Sequence, residues 1–563
     1  MTVRTMPAWG RERLDRMRFR RPSSGARRAD LPPSRPALLP LARWARVALM
    51  LLLAFTLFRG VVWADFVPAF WGPDEDYHFL YAEHLATQHS LPDPDSPLYP
   101  DEYSATVDAI SYNSYGSGPR TNYDGDPRLS LHTVSALPDS AREPKAIGRG
   151  VGVVHPPLYH VFAAVADRLA GDAPMQTRLT WVRYVTVLFG VLAVYAAWLL
   201  AAQVLRRESH QLLVAFLVAV QPMVGYLSGI ANHDSALIAF YSLSVALMLF
   251  ALRTVPRAAQ GLWLGGAIAL ALMVKGSALA LLPLAGIAYA AQALTWRTRW
   301  REVLKAAGLA ALMVAVVAGW WYVRSRIVYG TSTGAVSGGG GVDPGGTATL
   351  SQLLSWSKEW TALTYRTYWW HYVWYEAPAR TFWYYVPALA GCVGGLGLLG
   401  AVWGERRRLF DPANPRLRQI VVMTGAALSL YLSFLLVDLQ RRTDGAGFYV
   451  NGGRYLLPAY AAVVTLFVIG LVHLLQRGAR PLVLGAVGVL AAYFSLHVFE
   501  VNYVHRYFGD VGIGETLQRV RFDRPAFVTT GTLGVLLALV VLSFAAFTVV
   551  LVRGSRTPMT TGE

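Results

Sequence analysis

The chain has a single cysteine. Cys392 sits inside an apolar run, so no intrachain disulfide can form and the outer loops must be held by packing alone. Charge is scarce too. Asp, Glu, Lys and Arg make up 15% of the 563 residues, against 54% hydrophobic types. That balance excludes a soluble enzyme of several domains and suits a polytopic membrane protein. The first loop is rich in carboxylates, including Asp93, Asp95, Asp101, Glu102, Asp124 and Asp126. They lack EF-hand spacing, and no dense zinc pattern accompanies them. A cleaved signal peptide is not expected. The segment before the first apolar run is too long, and no small-residue cleavage site follows that run.

What the chain does have is apolar runs of roughly 18–25 residues, the length that a hydrocarbon core of about 30 Å demands. They fall at about 46–66, 181–205, 211–231, 234–253, 260–274, 277–295, 303–323, 382–403, 419–438, 455–476, 481–500 and 529–552. Every second loop between them is basic. These loops carry Arg206-Arg207, Arg253 with Arg257, Arg297-Arg299-Arg301, Arg406-Arg407-Arg408, Arg477 with Arg480, and Arg553 with Arg556. The positive-inside rule then predicts twelve spans with both termini cytoplasmic. The segment His155 to Ala170 is apolar but short. Counting it as a span would move several arginine clusters outside, so it reads as a juxtamembrane or re-entrant helix on the outer face.

The expected class is an all-α polytopic membrane protein. A disordered basic tail at 1–45 precedes a membrane domain at 46–552, and a short tail follows at 553–563. The outer loops lie at 67–180, 324–381, 439–454 and 501–528. The first 46 residues hold 12 Lys/Arg and 3 Asp/Glu, with Pro32, Pro33, Pro36 and Pro40. Such a tail touches anionic lipid. The formal charge of +17 sits mainly there and in the inner loops, so topology explains it and no nucleic-acid partner is expected.

The first span is followed at once by Trp71-Gly72-Pro73-Asp74-Glu75-Asp76-Tyr77-His78. Carboxylates at the bilayer surface beside many spans suggest chemistry on a lipid-borne substrate. Acids after Pro73 also suit a helix N-terminal cap. Asp76 reads as plain surface. His78 either hydrogen-bonds the acids, binds a metal with them, or packs as a satisfied histidine. The loop continues with Tyr112, Tyr115 and Tyr123 and ends at His155-Pro156-Pro157-Leu158-Tyr159-His160. His155 is balanced between ligand contact and packing. In the second large loop a glycine-rich run, Ser337 to Gly346, precedes an aromatic stretch, Trp356 to Tyr385, which includes Trp370. The stretch reads as an interfacial belt or as a lid that stacks on a sugar or covers a lipid phosphate, with Trp370 a substrate contact.

Three further charges stand out. Arg454 follows Gly452-Gly453 at the mouth of a span, and its planar fork matches phosphate oxygens. A snorkelling interfacial arginine is the bland alternative. Lys275 lies between two apolar runs, where a cation needs a partner or a wet cavity. Asp234 begins an apolar run, as a helix cap or as a binding group.

These motifs resemble the GT-C superfamily of multispan glycosyltransferases. They look closest to a bacterial membrane-protein family related to the aminoarabinose and protein O-mannosyl transferases. The pieces are Pro73-Asp74-Glu75 with His78, His155-Pro156-Pro157-Leu158-Tyr159, Asn232-His233-Asp234, Gly453-Arg454-Tyr455-Leu456-Leu457-Pro458 and, more weakly, Lys275-Gly276. They run in the expected order from about 71 to 458 and lie on one side. One departure stands: the aminoarabinose type carries an acidic and a basic residue just before Pro-Pro, where this chain has Val154 and His155. Any role of that acid does not carry over.

The resemblance implies transfer of a sugar from a polyprenyl-phosphate to a hydroxyl, usually with inversion, beside a helical first outer loop. The acceptor would be an envelope glycan, lipid or protein, and the site would face outward at the plasma membrane. Asp74 matches the first acid of the superfamily pair and is the expected base. Glu75 would orient the acceptor or tune Asp74. His78, His155, Asp234, Lys275, Arg454, Tyr455 and Trp370 are the expected substrate contacts. No metal ligand is assigned and no cofactor is expected, although some relatives use a divalent metal and others do not. The competing functions are a transporter or flippase of lipid-linked glycans and a non-catalytic scaffold. Against transport, the first loop has no counterpart in the second half, and the notable charges lie at span mouths.

Overall fold

Backbone inside hydrocarbon must satisfy its own hydrogen bonds, so apolar runs of this length become helices. A computed structural model describes residues 41–109, 137–147, 154–330, 348–370, 381–443, 452–521 and 524–555. The tails, Tyr112, Tyr115 and Tyr123, the run Ser337 to Gly346, and Tyr372, Trp374 and Tyr375 lie outside the described residues. Among the described residues, ten helices are long and apolar enough to cross a membrane. The pair Glu208–Ala219 and Pro222–Ser228, bent by 64°, would make eleven if it is one span. The twelfth expected segment forms a shorter apolar helix, Ala259–Leu272. The count of twelve is therefore not established, although every expected span has a helix. Pro222 explains the bend: it cannot donate a backbone N–H, and Gln221 caps the new helix through Val224 N at 2.6 Å.

The helices Asp234–Arg253 and Gly452–Leu474 are the most enclosed spans, and Thr530–Ser555 is the most exposed. Among its described residues the first loop is mainly helical, with one strand pairing that the sequence did not announce. Pro97–Pro100 and Pro144–Ile147 pair antiparallel, with Tyr99 opposite Ala146. The loop begins with the helix Glu75–Gln88 and closes with the helix Leu158–Ala170, and the two pack on each other. The closing helix buries Tyr159, His160, Ala163 and Asp167 and exposes Val161, Phe162, Val165 and Leu169. An apolar face turned outward at this length fits a helix lying in the interface rather than a span.

Arg178, near the start of the helix Met175–Ala202, ties the loop to the bundle. Its guanidinium meets Glu83 and donates to Glu102 Oε2 at 2.6 Å, with Asp167 at 3.4 Å. The buried cation thus staples three loop elements where no disulfide is available.

The first part of the aromatic stretch lies in a helix, Leu350–Trp370, and Trp383, Tyr384 and Tyr385 lie in another, Thr381–Glu405. Trp360, Thr364, Thr367 and Trp370 recur at helical spacing and form the buried face of the first. Trp360 donates to Asp438. Trp370 was expected to touch substrate; instead it is fully buried, with ring centroids 6.0 Å from Trp63 and 5.9 Å from Tyr226. Its place is the core, because its spacing from Trp360 puts both on the packed face.

Candidate active site

The turn before the helix Glu75–Gln88 sets the site. Asp74 occupies the N-cap position with φ 60° and ψ 19°, the left-handed region that Asp tolerates better than most residues. Its side chain makes no cap hydrogen bond. It reaches away from the helix and accepts from Arg454 Nη2 at 2.6 Å. A carboxylate held in a strained backbone and turned from its own helix marks a position shaped for something other than capping.

Glu75, one residue on, turns inward. Arg183 Nε and Nη2 donate to its two oxygens at 2.8 and 2.7 Å. The amides of Ala231 and Gly72 add bonds of 2.8 and 3.2 Å. These fill the four acceptor positions a carboxylate offers. Glu75 is therefore not free to orient an acceptor, and the structure places it as the anchor of the turn that carries Asp74. Arg183 also donates to the carbonyls of Ala64, Val67 and Pro68, so it fixes the end of the first span.

The segment Ala231-Asn232-His233-Asp234 docks against this turn. Asn232 Nδ2 donates to the Pro73 carbonyl at 3.0 Å, and its Oδ1 accepts from Asp234 N at 2.8 Å. Asp234 Oδ1 then accepts from Lys275 Nζ at 2.6 Å. Lys275 lies in the break after the helix Ala259–Leu272 and sits 4.6 Å from the Tyr455 ring centroid. Arg454 Nε is 3.9 Å from Asp234 Oδ2, and Arg454 Nη2 also donates to the Tyr455 hydroxyl at 3.0 Å. Asp74, Asp234, Lys275, Arg454 and Tyr455 thus form one cluster, drawn from parts of the chain some 380 residues apart.

Gly453 makes the position of Arg454 possible. A Cβ there would lie 2.1 Å from the Tyr368 amide nitrogen and 2.5 Å from the Thr364 carbonyl oxygen. Its own N–H donates to Thr367 Oγ1 at 2.9 Å. The aromatic helix serves the site by backing this glycine.

The electrostatics favour an ionised Asp74. Burial raises its pKa, but Arg454, by charge and hydrogen bond, and then Lys275 and His155 outweigh that and leave it below the usual carboxylate value. Arg454 itself is incompletely used. Among the described residues, its Nε and Nη1 have no hydrogen-bond acceptor, and neither does Asp234 Oδ2 find a donor. Buried guanidinium N–H groups without acceptors are costly and rare, and here they are aimed into a cluster beside a carboxylate. The arrangement can hold an anion with several oxygens and present a carboxylate to whatever reacts next to it.

Histidines line the other side. His78 Nδ1 is 3.0 Å from His160 Nε2 and 3.4 Å from His233 Nδ1. The His155 ring centroid lies 4.4 Å from that of His233. Burial lowers the pKa of His78 and His233 well below the ordinary histidine value, and that of His160 to about 3. His78, His160 and His233 are the described group whose ligand atoms lie close enough to share a metal ion. Asp76 is not plain surface. It is half-buried and accepts from the Tyr103 hydroxyl at 3.2 Å, and burial pushes its pKa up to about 6.

No role for Arg183, His160 or His233 was read from the sequence, although His160 and His233 stand in its motifs. Arg183 looked like one more residue of an apolar span. The available signal was its cost: an arginine two turns inside a span needs a buried carboxylate.

Fold and site together define a multi-pass membrane protein with a buried mixed-charge centre at the mouths of its most enclosed helices. The chain belongs to the family described as "Predicted membrane protein (DUF2142)", whose model matches residues 57–463. A curated relative is the undecaprenyl phosphate-alpha-4-amino-4-deoxy-L-arabinose arabinosyl transferase of Pseudomonas paraeruginosa, 33% identical over 150 residues. That match spans 26% of this chain and about a quarter of the relative, 27%. Two solved structures are similar. One is ArnT from Cupriavidus metallidurans bound to undecaprenyl phosphate, at 14% identity and TM-score 0.43, covering 88% of this chain and 76% of that one. The other is the archaeal oligosaccharyltransferase AglB from Archaeoglobus fulgidus with an inhibitory peptide and a dolichol-phosphate, at 13% identity and TM-score 0.45, covering 86% and 58%. The relatives found are of the kind the motifs resembled.

Proposed function

We propose that this protein is a membrane glycosyltransferase that moves a sugar from a polyprenyl-phosphate donor to a hydroxyl of an envelope glycan, lipid or protein. In this reading the site faces outward and both termini are cytoplasmic, which the alternating basic loops support. The observation that carries the reading is Arg454: a buried guanidinium with unfilled donors, one bond from a carboxylate, at a span mouth. The motif resemblance and the curated relative, a transferase acting with undecaprenyl phosphate, point the same way.

In this reading the donor phosphate sits on Arg454 and Lys275. It competes with Asp74 for Arg454 Nη2 and so releases the carboxylate. The acceptor oxygen attacks the anomeric carbon as the bond from that carbon to the phosphate oxygen breaks. Asp74 takes the hydroxyl proton, and the two cations stabilise the lipid phosphate that leaves. Attack opposite the leaving group inverts the centre. Glu75 and Arg183 position the turn and touch neither reactant.

The test is transfer from a radiolabelled polyprenyl-phosphate sugar by the purified full chain, compared with Asp74→Asn. General-base assistance is worth about 10²–10⁴-fold, and a loss of that size is expected without loss of folding. Label moved across the bilayer without transfer would favour a flippase instead. Near-normal turnover by Asp74→Asn would remove the base assignment.

A further inference from the structure

We propose that His78, His160 and His233 bind a divalent transition metal of the zinc type, as a buried centre that pins the first outer loop to the bundle. The argument is geometric. Four-coordinate zinc with Zn–N bonds of about 2.0–2.1 Å places its nitrogen ligands roughly 3.3 Å apart. The separations here are 3.0 Å from His78 Nδ1 to His160 Nε2 and 3.4 Å from His78 Nδ1 to His233 Nδ1. All three ligand atoms lie within 4.8 Å of one another, and all three side chains are buried.

Protons explain this trio less well than a cation does. His160 Nδ1 lies 3.3 Å from the Pro156 carbonyl, which fixes the proton on Nδ1 and leaves Nε2 a lone pair. That lone pair points at His78 Nδ1, which also faces His233 Nδ1. One proton on His78 would have to serve two nitrogens. A cation serves all three at once. A metal-bound imidazole usually donates its other ring N–H to such a carbonyl, which fixes the ring's orientation. Asp234 Oδ1 stands 3.6 Å from His233 Nε2, a nitrogen with no hydrogen bond among the described residues. A small shift would complete a carboxylate–histidine–metal arrangement.

The ligands come from three places: the helix that starts beside Asp74, the helix that closes the first loop, and the turn entering the span of Asp234. A metal there would hold the base and the cation cluster in register without itself meeting substrate.

The test uses full-length protein purified in detergent after expression in zinc-supplemented medium. Mass spectrometry should find about one zinc per chain, and His78→Ala and His160→Ala should each lower it more than about tenfold. His473→Ala, a histidine in the last turn of the helix Tyr460–Leu474, should keep it. Chelation should lower the melting temperature of the wild type but not of His160→Ala. If the alanine variants do not fold, Co²⁺ added to chelated wild type still decides: the visible bands of a four-coordinate site support the proposal. Sub-stoichiometric zinc after loading, zinc unchanged by His160→Ala, or only the spectrum of solvated Co²⁺ would each overturn it.

Discussion

Asp74 and Glu75 are neighbours in sequence, each paired with a buried arginine, and the two pairs are opposite in kind. Glu75 is fully enclosed, and both it and Arg183 have every hydrogen-bonding position filled. Asp74 keeps 27% of its side chain exposed and has one arginine contact, while Arg454 Nε and Nη1 meet no hydrogen-bond acceptor among the described residues. Saturation is what separates a strut from a site. A buried ion pair holds structure when every lone pair and proton is matched, and the cost of burial is otherwise unrecovered. The less saturated pair lies where an anion with several oxygens can be held.

The largest effect should come from breaking the saturated pair. Arg183→Ala leaves Glu75 buried without its cation and strips three backbone carbonyls of their donor. Removing one partner of such a pair costs about 3–5 kcal/mol. Monodisperse folded protein should be lost, and Arg183→Lys should not restore it, because an ammonium lacks the planar fork. A well-folded but inactive Arg183→Ala would erase the contrast by making Arg183 a site residue.

The unsaturated pair should break differently. In Arg454→Ala, water can reach Asp74, so the melting temperature should hold. Affinity for a polyprenyl phosphate should fall by about 2–5 kcal/mol, the cost of truncating a hydrogen-bonded charge partner, as titration calorimetry would read. Arg454→Lys should fall between. A variant that melts early yet binds donor normally would move Arg454 to the structural side of the comparison.

Gly453→Ala tests how the site leans on its surroundings. The added methyl meets the Tyr368 amide and the Thr364 carbonyl, neither a flexible atom. Overpacking of this kind costs about 1–3 kcal/mol. Stability should drop by less than in Arg183→Ala, and donor affinity by less than in Arg454→Ala. Donor affinity unchanged beside lowered stability would mean that the aromatic helix supports the fold alone.

The spans were legible because hydropathy and loop charge act locally along the chain. Asp74, Asp234, Lys275 and Arg454 were each singled out by charge beside an apolar run and by the motif resemblance, but their pairing with one another was read only from the structure. The division between Asp74 and Glu75 was not legible. It depends on the left-handed turn at Asp74, which sends consecutive side chains opposite ways. Trp370 was misjudged because an aromatic run looks the same in sequence whether its helix faces lipid, ligand or core. The two-stranded pairing of Pro97–Pro100 with Pro144–Ile147 joins proline-bounded segments more than 40 residues apart and carries no local strand pattern. His160 and His233 drew no role because they converge only in three dimensions.

The smallest effect is a shift in pH dependence, and it reports on the Asp74–Arg454 contact directly. Burial raises the pKa of Asp74, while Arg454 and Lys275 lower it further, so the group ends below the ordinary carboxylate value of about 3.9. A depressed carboxylate stays ionised, and its contribution is complete above that value and lost only as pH falls through the lower, folded one. Wild-type transfer should therefore show no Asp74 limb between about pH 5 and 8. Arg454→Gln removes the main opposing charge and leaves burial, which acts upward. The acid limb of the residual activity should then move to higher pH by about one unit or more, the size of an arginine's effect on a neighbouring aspartate. The same limb should be absent from any residual activity of Asp74→Asn. An acid limb at the same pH in wild type and Arg454→Gln would mean that the contact does not set the state of Asp74, and the distinction between a poised pair and a structural one would lose its electrostatic half.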